Sequence, residues 1–180
     1  MYVVGTVFLA FDLRARDIKE RMAEVLDSRP YTNLELVVGR FFGILLPSWI
    51  PILVLALFWE ILGLLLVALG SPIGDTMNLM SLFGFVFLMA LPALAFALSL
   101  VFLVTLLVRN RLAAAVLALA LLGNTFWATF YLPITYGRLF DVLGYTSMGF
   151  PSEIAPTLLN LDGWLQRLGF LFASFGLLGF

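Results

Sequence analysis

Long stretches without a charged side chain constrain this sequence more than any other feature. Residues 41–59, 76–108 and 112–137 each lack Asp, Glu, Lys and Arg. A membrane-spanning helix needs about 20 mostly apolar residues to cross the hydrocarbon core. Overall, 63% of the residues are apolar and 12% are charged, against roughly half and a quarter in a soluble domain. The chain cannot cover itself with polar groups, so we expect an all-α, polytopic bundle of transmembrane helices.

The absence of two residue types limits the reactions and metal sites that the side chains can support. The sequence contains no Cys and no His, which excludes disulfides, thiol nucleophiles and the usual transition-metal sites. The net charge of −1 gives no indication of a nucleic-acid partner. We therefore expect no cofactor, no metal and no nucleic acid.

Charges set the boundaries of the expected spans, because a charge at the bilayer centre is costly unless it is paired or hydrated. Arg40 and Glu60 lie 20 positions apart, about 30 Å along a helix, which matches the hydrocarbon thickness. The two helices that flank the Gly70–Asn78 turn should be the longest, and Pro92 should bend the second of them. Within a single transmembrane domain we expect a partial span at 1–11, spans at 41–69, 79–108 and 112–132, and a last span at 164–180.

Basic residues predict how these spans are oriented. Eight of the ten Lys and Arg residues fall within residues 12–40 and 109–111, which the positive-inside rule places in the cytoplasm. Residues 70–78 and the segment 133–163 then face outward. Broken helices in the outer leaflet and an ordinary amphipathic loop are both compatible with residues 133–163. The prediction is a multi-pass protein of the cell membrane, inner or plasma, in contact with the lipid bilayer.

The segment 12–40 is longer than a connection between two spans requires. Its apolar residues recur at helical spacing, and Arg16 and Glu20 are opposite charges four positions apart. Pro30 interrupts this helix, and the capping-box pattern from Thr32 to Glu35 predicts the start of the next one. The pattern alone fits an amphipathic connector at the membrane surface equally well.

The run from residue 16 to residue 40 reads RDIKERMAEVLDSRPYTNLELVVGR. This run resembles the cytoplasmic segment of ABC-2 type transporter permeases: a charged helix, a Ser-x-Pro-type turn, then a Leu-rich stretch ending in Gly-Lys or Gly-Arg before a span. The subgroup that it resembles most is encoded with, or fused to, a zinc aminopeptidase domain. That family has six spans in each half-transporter, more than the spans expected here, so we expect a fragment of a longer permease.

The resemblance implies the function of an exporter permease and its partners. In that family the cytoplasmic segment is a coupling helix that docks on an ABC ATP-binding subunit, and the permease pairs with a second permease half or with its own copy. The docking face implied here consists of Arg16, Glu20, Glu24 and Asp27. ATP hydrolysis would take place on the partner, because a phosphate-binding loop needs a Lys after glycines and the one Lys here, Lys19, follows Ile18.

Two other functions fit a polytopic chain. One is an accessory or structural membrane subunit. The other is an intramembrane protease, for which Asp12, Asp75 and Asp141 are the available carboxylates, although none lies centrally in an expected span.

Four further positions carry separate predictions. Gly39 and Gly43 form a Gly-x-x-x-Gly pair that permits close helix packing. Glu60 lies within a long apolar run, either as a hydrated boundary residue or as a polar site in the membrane. Arg167 lies near the start of the last span, where its stem should let the guanidinium reach the outer headgroups.

Overall fold

A computed structural model describes residues 33–71, 79–108, 110–142 and 160–178, together with Gly5 and Thr76. The described residues form helices and no β-strand, which confirms the all-α prediction. The predicted amphipathic coupling helix lies before residue 33, outside the described residues.

The helices follow the apolar runs of the sequence. A π-helical segment, Gly84–Ala90, joins α2 directly to α3, and a 3₁₀ turn, Arg138–Phe140, follows α5. The α-helices are α1 (Asn33–Ala68), α2 (Leu79–Phe83), α3 (Leu91–Leu107), α4 (Arg111–Tyr131), α5 (Ile134–Gly137) and α6 (Leu161–Leu178).

Three stretches among the described residues are long and apolar enough to cross a membrane: Glu35–Ala68, Leu79–Leu107 and Leu112–Tyr131. They indicate a helical membrane protein. The first two contain 34 and 29 residues and the third contains 20. The two longest therefore flank the turn after Gly70, as predicted.

The first helix, α1, is continuous over 36 residues although it contains Pro47 and Pro51. Its described part starts at Asn33 and passes through Gly39 and Arg40 without a break, while the predicted cap Thr32 lies outside the described residues. At 1.5 Å per residue it is about 54 Å long, well beyond the hydrocarbon thickness. The predicted cytoplasmic end and the apolar part of this segment thus form one continuous helix.

The second long helix changes its winding near Pro92. A proline has no backbone N–H, so it removes one bond of the α-helical ladder at its own position. Pro92 lies in the first turn of α3, and the wider π-helical winding occupies the seven residues immediately before α3. The winding thus changes just before Pro92, while a bend of the helix axis at this position stays a prediction.

The apolar core lies along α3, whose side chains are buried between α1, α4 and α6. On α4 the contact is made mainly by alanines, which allow two helices to approach closely. The buried cluster consists of Phe41, Ile44, Leu45, Leu94, Ala95, Ala97, Leu98, Val101, Val104, Ala114, Ala115, Ala118 and Leu122.

Aromatic pairs show that α1 and α3 run in opposite directions. Phe41, early in α1, contacts Phe102, late in α3, with 6.4 Å between the ring centroids. Eight residues further along α1, Trp49 contacts Phe87 of the π-helical segment at 5.1 Å.

The last described helix, α6, runs in the same direction as α3. Phe170 meets Phe96 at 5.5 Å, and Phe175, one turn later, meets Phe41 at 6.5 Å beside Phe102. This is the arrangement that the expected alternation of spans requires, since both helices should run inward.

Because the chain has no Cys, the expected sidedness can be tested with single cysteines. Asn110 in the α3–α4 turn and Leu69 just after α1 are both exposed. We expect a membrane-impermeant maleimide to label Leu69→Cys in intact cells and Asn110→Cys only in inside-out vesicles. Labelling of both from the same side would refute the topology.

Candidate functional site: a buried arginine and its aspartate

The residues predicted to contact an ATPase, Arg16, Glu20, Glu24 and Asp27, lie outside the described residues. Their docking role stays a prediction from the resemblance. The structure describes the segment that follows them, from Asn33 onward.

The glycine pair lies on an open face of α1. Gly39 and Gly43 are both exposed, and a Cβ added at either position would meet no atom within 4 Å among the described residues. Neither glycine is therefore used for packing within the described part of the chain. Close packing against another helix stays a prediction, and the surface that it needs is accessible.

Glu60 is half-buried on α1. It lies three residues after Leu57, so the two side chains share one side of the helix. The choice between a boundary residue and a polar site in the membrane stays open at this position.

The structure corrects the prediction for Arg167. Only 1% of this residue is exposed, so its guanidinium does not extend to the surface of the bundle. The long stem of an arginine can reach headgroups only when the side chain faces lipid, and Arg167 faces the interior. It is the largest of the fully buried side chains in the described part of the protein.

The partner of Arg167 is the turn after the 3₁₀ segment. Its Nη1 donates to the backbone carbonyls of Asp141 at 2.9 Å and Val142 at 3.1 Å. Its Nη2 lies 3.7 Å from Asp141 Oδ2, and the Asp141 side chain is fully buried. One guanidinium thus binds two carbonyls and one carboxylate, and the ring of Phe170 lies 5.9 Å from its Cζ.

Two neighbouring contacts attach the same turn to the bundle. Gln166 donates from its side-chain amide to the backbone carbonyl of Arg138. On the other side, a Cβ at Gly137 would lie 2.7 Å from the carbonyl oxygen of Thr129, so only glycine allows this approach of α5 to α4. The turn 138–142 is therefore clamped between α4 and α6.

This arrangement holds elements together and does not supply an acid, a base or a metal ligand. The Asp141 carboxylate faces a guanidinium, with Oδ2 lying 3.7 Å from Arg167 Nη2. Among the described residues no group of three or more His, Cys, Asp or Glu could hold a metal ion. Within the same residues, Arg167 Nε and Nη2 have no hydrogen-bond partner. The guanidinium thus depends on Asp141 and the two carbonyls for compensation of its buried charge.

The sequence contains one signal for this pair. An intramembrane charge almost always faces the bundle interior and pairs with an opposite charge. Asp141 precedes Arg167 by 26 positions and belongs to the segment just before its helix. If this rule is preferred to the closeness of Arg167 to the start of its helix, the sequence predicts that Arg167 and Asp141 form a buried pair.

Comparisons with known proteins give no relative for this chain. No family model matches it, and neither the curated proteins nor the solved structures contain a significant match.

Proposed function

We propose that this chain is the membrane-spanning permease component of an ABC-2 type exporter, multi-pass in the cell membrane, driven by ATP hydrolysis on a separate nucleotide-binding subunit. The sequence of residues 16–40 carries the proposal, because it resembles the cytoplasmic segment of ABC-2 type permeases, which in that family docks on the ATPase. The partners proposed are an ABC ATP-binding subunit and a second permease half or a second copy of this chain.

The continuity of α1 supports a coupling role for this segment. The helix runs from Asn33 to Ala68 through Gly39 and Arg40, so a displacement at its cytoplasmic start is transmitted to its apolar part. Charged side chains on residues 16–27 would bind the ATPase, while Ile18, Met22 and Leu26 would hold the helix against the membrane part. Movement of the docked helix would then tilt α1 relative to α3.

The buried Arg167–Asp141 pair fits a protein whose spans must move as units. It fixes the turn 138–142 to α6, so that the outer connection and this helix shift together. The same pairing speaks against the protease alternative, because an aspartyl protease needs two carboxylates that share a proton. Asp141 instead faces a cation, and the other candidates, Asp12 and Asp75, lie outside the described residues.

Purification from native membranes in mild detergent tests the proposal. An exporter permease should bring down a protein with an ATP-binding cassette and with it an ATPase activity. Copurification with a complex that hydrolyses no ATP would favour the accessory-subunit alternative, and peptide cleavage by the isolated chain would favour the protease. Either result would contradict the proposal.

A further inference from the structure

A cleft of about 270 Å³ lies between α1 and the helix that starts at Leu79. Every side chain that lines it is Leu, Val or Phe. One wall of the cleft belongs to α1 and contains Leu53 and Leu57. Most of the opposite wall is formed by Leu82, Phe83, Val86 and Phe87. A polar ligand would find no hydrogen-bond partner among these side chains, so the occupant must be a hydrocarbon.

One wall of the cleft is held in place by a hydrogen bond. The indole Nε1 of Trp49 donates to the backbone carbonyl of Val86 at 2.9 Å, within the π-helical segment. The Trp49 ring contacts Phe87 at 5.1 Å, and Phe87 stacks on Phe83 at 4.9 Å. Two lining rings, Phe83 and Phe87, thus stack on each other, and Trp49 supports them from outside the cleft. A concave site with fixed walls is typical of ligand pockets that exist before the ligand binds.

The surroundings of the cleft identify the source of the hydrocarbon. The lining residues are themselves open to the surroundings, since Leu57 is 44% exposed, Phe83 is 42% exposed and Leu79 is 84% exposed. Such a surface is stable only in the bilayer core, so the mouth of the cleft opens into lipid.

The size of the cleft excludes a whole helix as its occupant, since a helix packed over the mouth would insert single side chains only. An α-helix with its side chains is about 10 Å across, too wide to enter this space. A dry cavity of about 150 Å³ is enough to bind benzene, so 270 Å³ accommodates a segment of a flexible chain. We propose that the cleft is a binding site for one acyl chain of a bilayer phospholipid. The site is independent of the proposed transport function.

Photolabelling of the intact protein tests this site. The protein is reconstituted in phospholipid bilayers that contain a phosphatidylcholine with a diazirine in its acyl chain, irradiated, and digested for mass spectrometry. We expect Leu53 and Leu57 to carry at least about fivefold more adduct than Leu55, which lies on the same helix but outside the cleft. Equal labelling of the three leucines would overturn the proposal, because it would show that the label comes from lipid spread evenly over the protein surface.

Matched variants separate the cleft from the rest of α1. Leu57→Trp fills the cleft and should remove most of the Leu53 adduct, whereas Leu55→Trp adds the same ring outside it and should leave that adduct unchanged. Trp49→Phe keeps an aromatic ring but removes the hydrogen bond to Val86, so labelling of Leu53 should fall by about half or more. All variants should elute and unfold as the parent does. Persistence of the Leu53 adduct in Leu57→Trp would refute the acyl-chain site.

Discussion

Replacing Arg167 by alanine is expected to lower the free energy of unfolding by about 3–5 kcal/mol, the usual cost of removing one partner of a buried ion pair. The change removes the guanidinium that lies 3.7 Å from the buried Asp141 carboxylate, and with it the donor to the carbonyls of Asp141 and Val142. It also removes the stem that packs near Phe170. Denaturant titration of the purified protein in detergent micelles measures the effect.

Arg138 is the matched control, because it is the same residue type on the neighbouring turn and its side chain is exposed. Arg138→Ala leaves its backbone carbonyl available to Gln166 and should change stability by no more than about 0.5 kcal/mol. The double variant Asp141→Asn/Arg167→Met, which replaces the charged pair with neutral groups, should lose less than the sum of its single changes. Equal losses in Arg167→Ala and Arg138→Ala would show that the buried pair does not stabilise the bundle.

Charge reversal at Glu20 and Glu24 is expected to weaken binding of the ATPase subunit or to uncouple ATP hydrolysis from transport. Like charges brought together at an interface cost several kcal/mol, and even about 2 kcal/mol lowers affinity about 30-fold. Membrane insertion should be unaffected, because the Lys side chains added by Glu20→Lys/Glu24→Lys strengthen the cytoplasmic charge bias. ATPase recovery with the purified chain and ATP-dependent transport are the two readouts.

Glu153→Lys/Asp162→Lys provides a control with the same change in charge on the predicted outer side. This variant should retain the partner and its activity. If Glu20→Lys/Glu24→Lys assembled and transported like the parent, residues 13–29 would be a surface connector and the coupling role would be withdrawn.

The helices could be predicted from the sequence because each apolar run is bounded by charges or turn residues. The run between Arg40 and Glu60 indicated a span of hydrocarbon thickness, yet α1 extends from Asn33 to Ala68. The expected span at 41–69 and the helix start predicted from Thr32 to Glu35 lie along this one helix. Neither Pro47 nor Pro51 interrupts the helix, although each lacks an N–H for the backbone ladder.

The candidate site and the cleft depend on contacts that no local pattern specifies. The prediction for Arg167 used its distance from the start of a helix. That distance gives the depth of the residue in the membrane, but it does not identify its neighbour on the other side of the bundle. The link between Trp49 and the Val86 carbonyl joins positions 37 apart and needs a π-helical segment that no residue type signals. The periodicity of apolar residues predicts which face of a helix is buried. Which residues pair across helices can be known only from the three-dimensional fold.

Site-specific crosslinking at Glu24 tests the central claim most directly, since the natural chain is free of Cys. Glu24→Cys, modified in native membranes with a photoreactive maleimide and irradiated, is predicted to form an adduct with an ATP-binding cassette protein. Leu69→Cys, on the predicted outer side, should form no such adduct. An adduct of Glu24→Cys with lipid alone, or with a protein that binds no nucleotide, would contradict the assignment as an ABC permease.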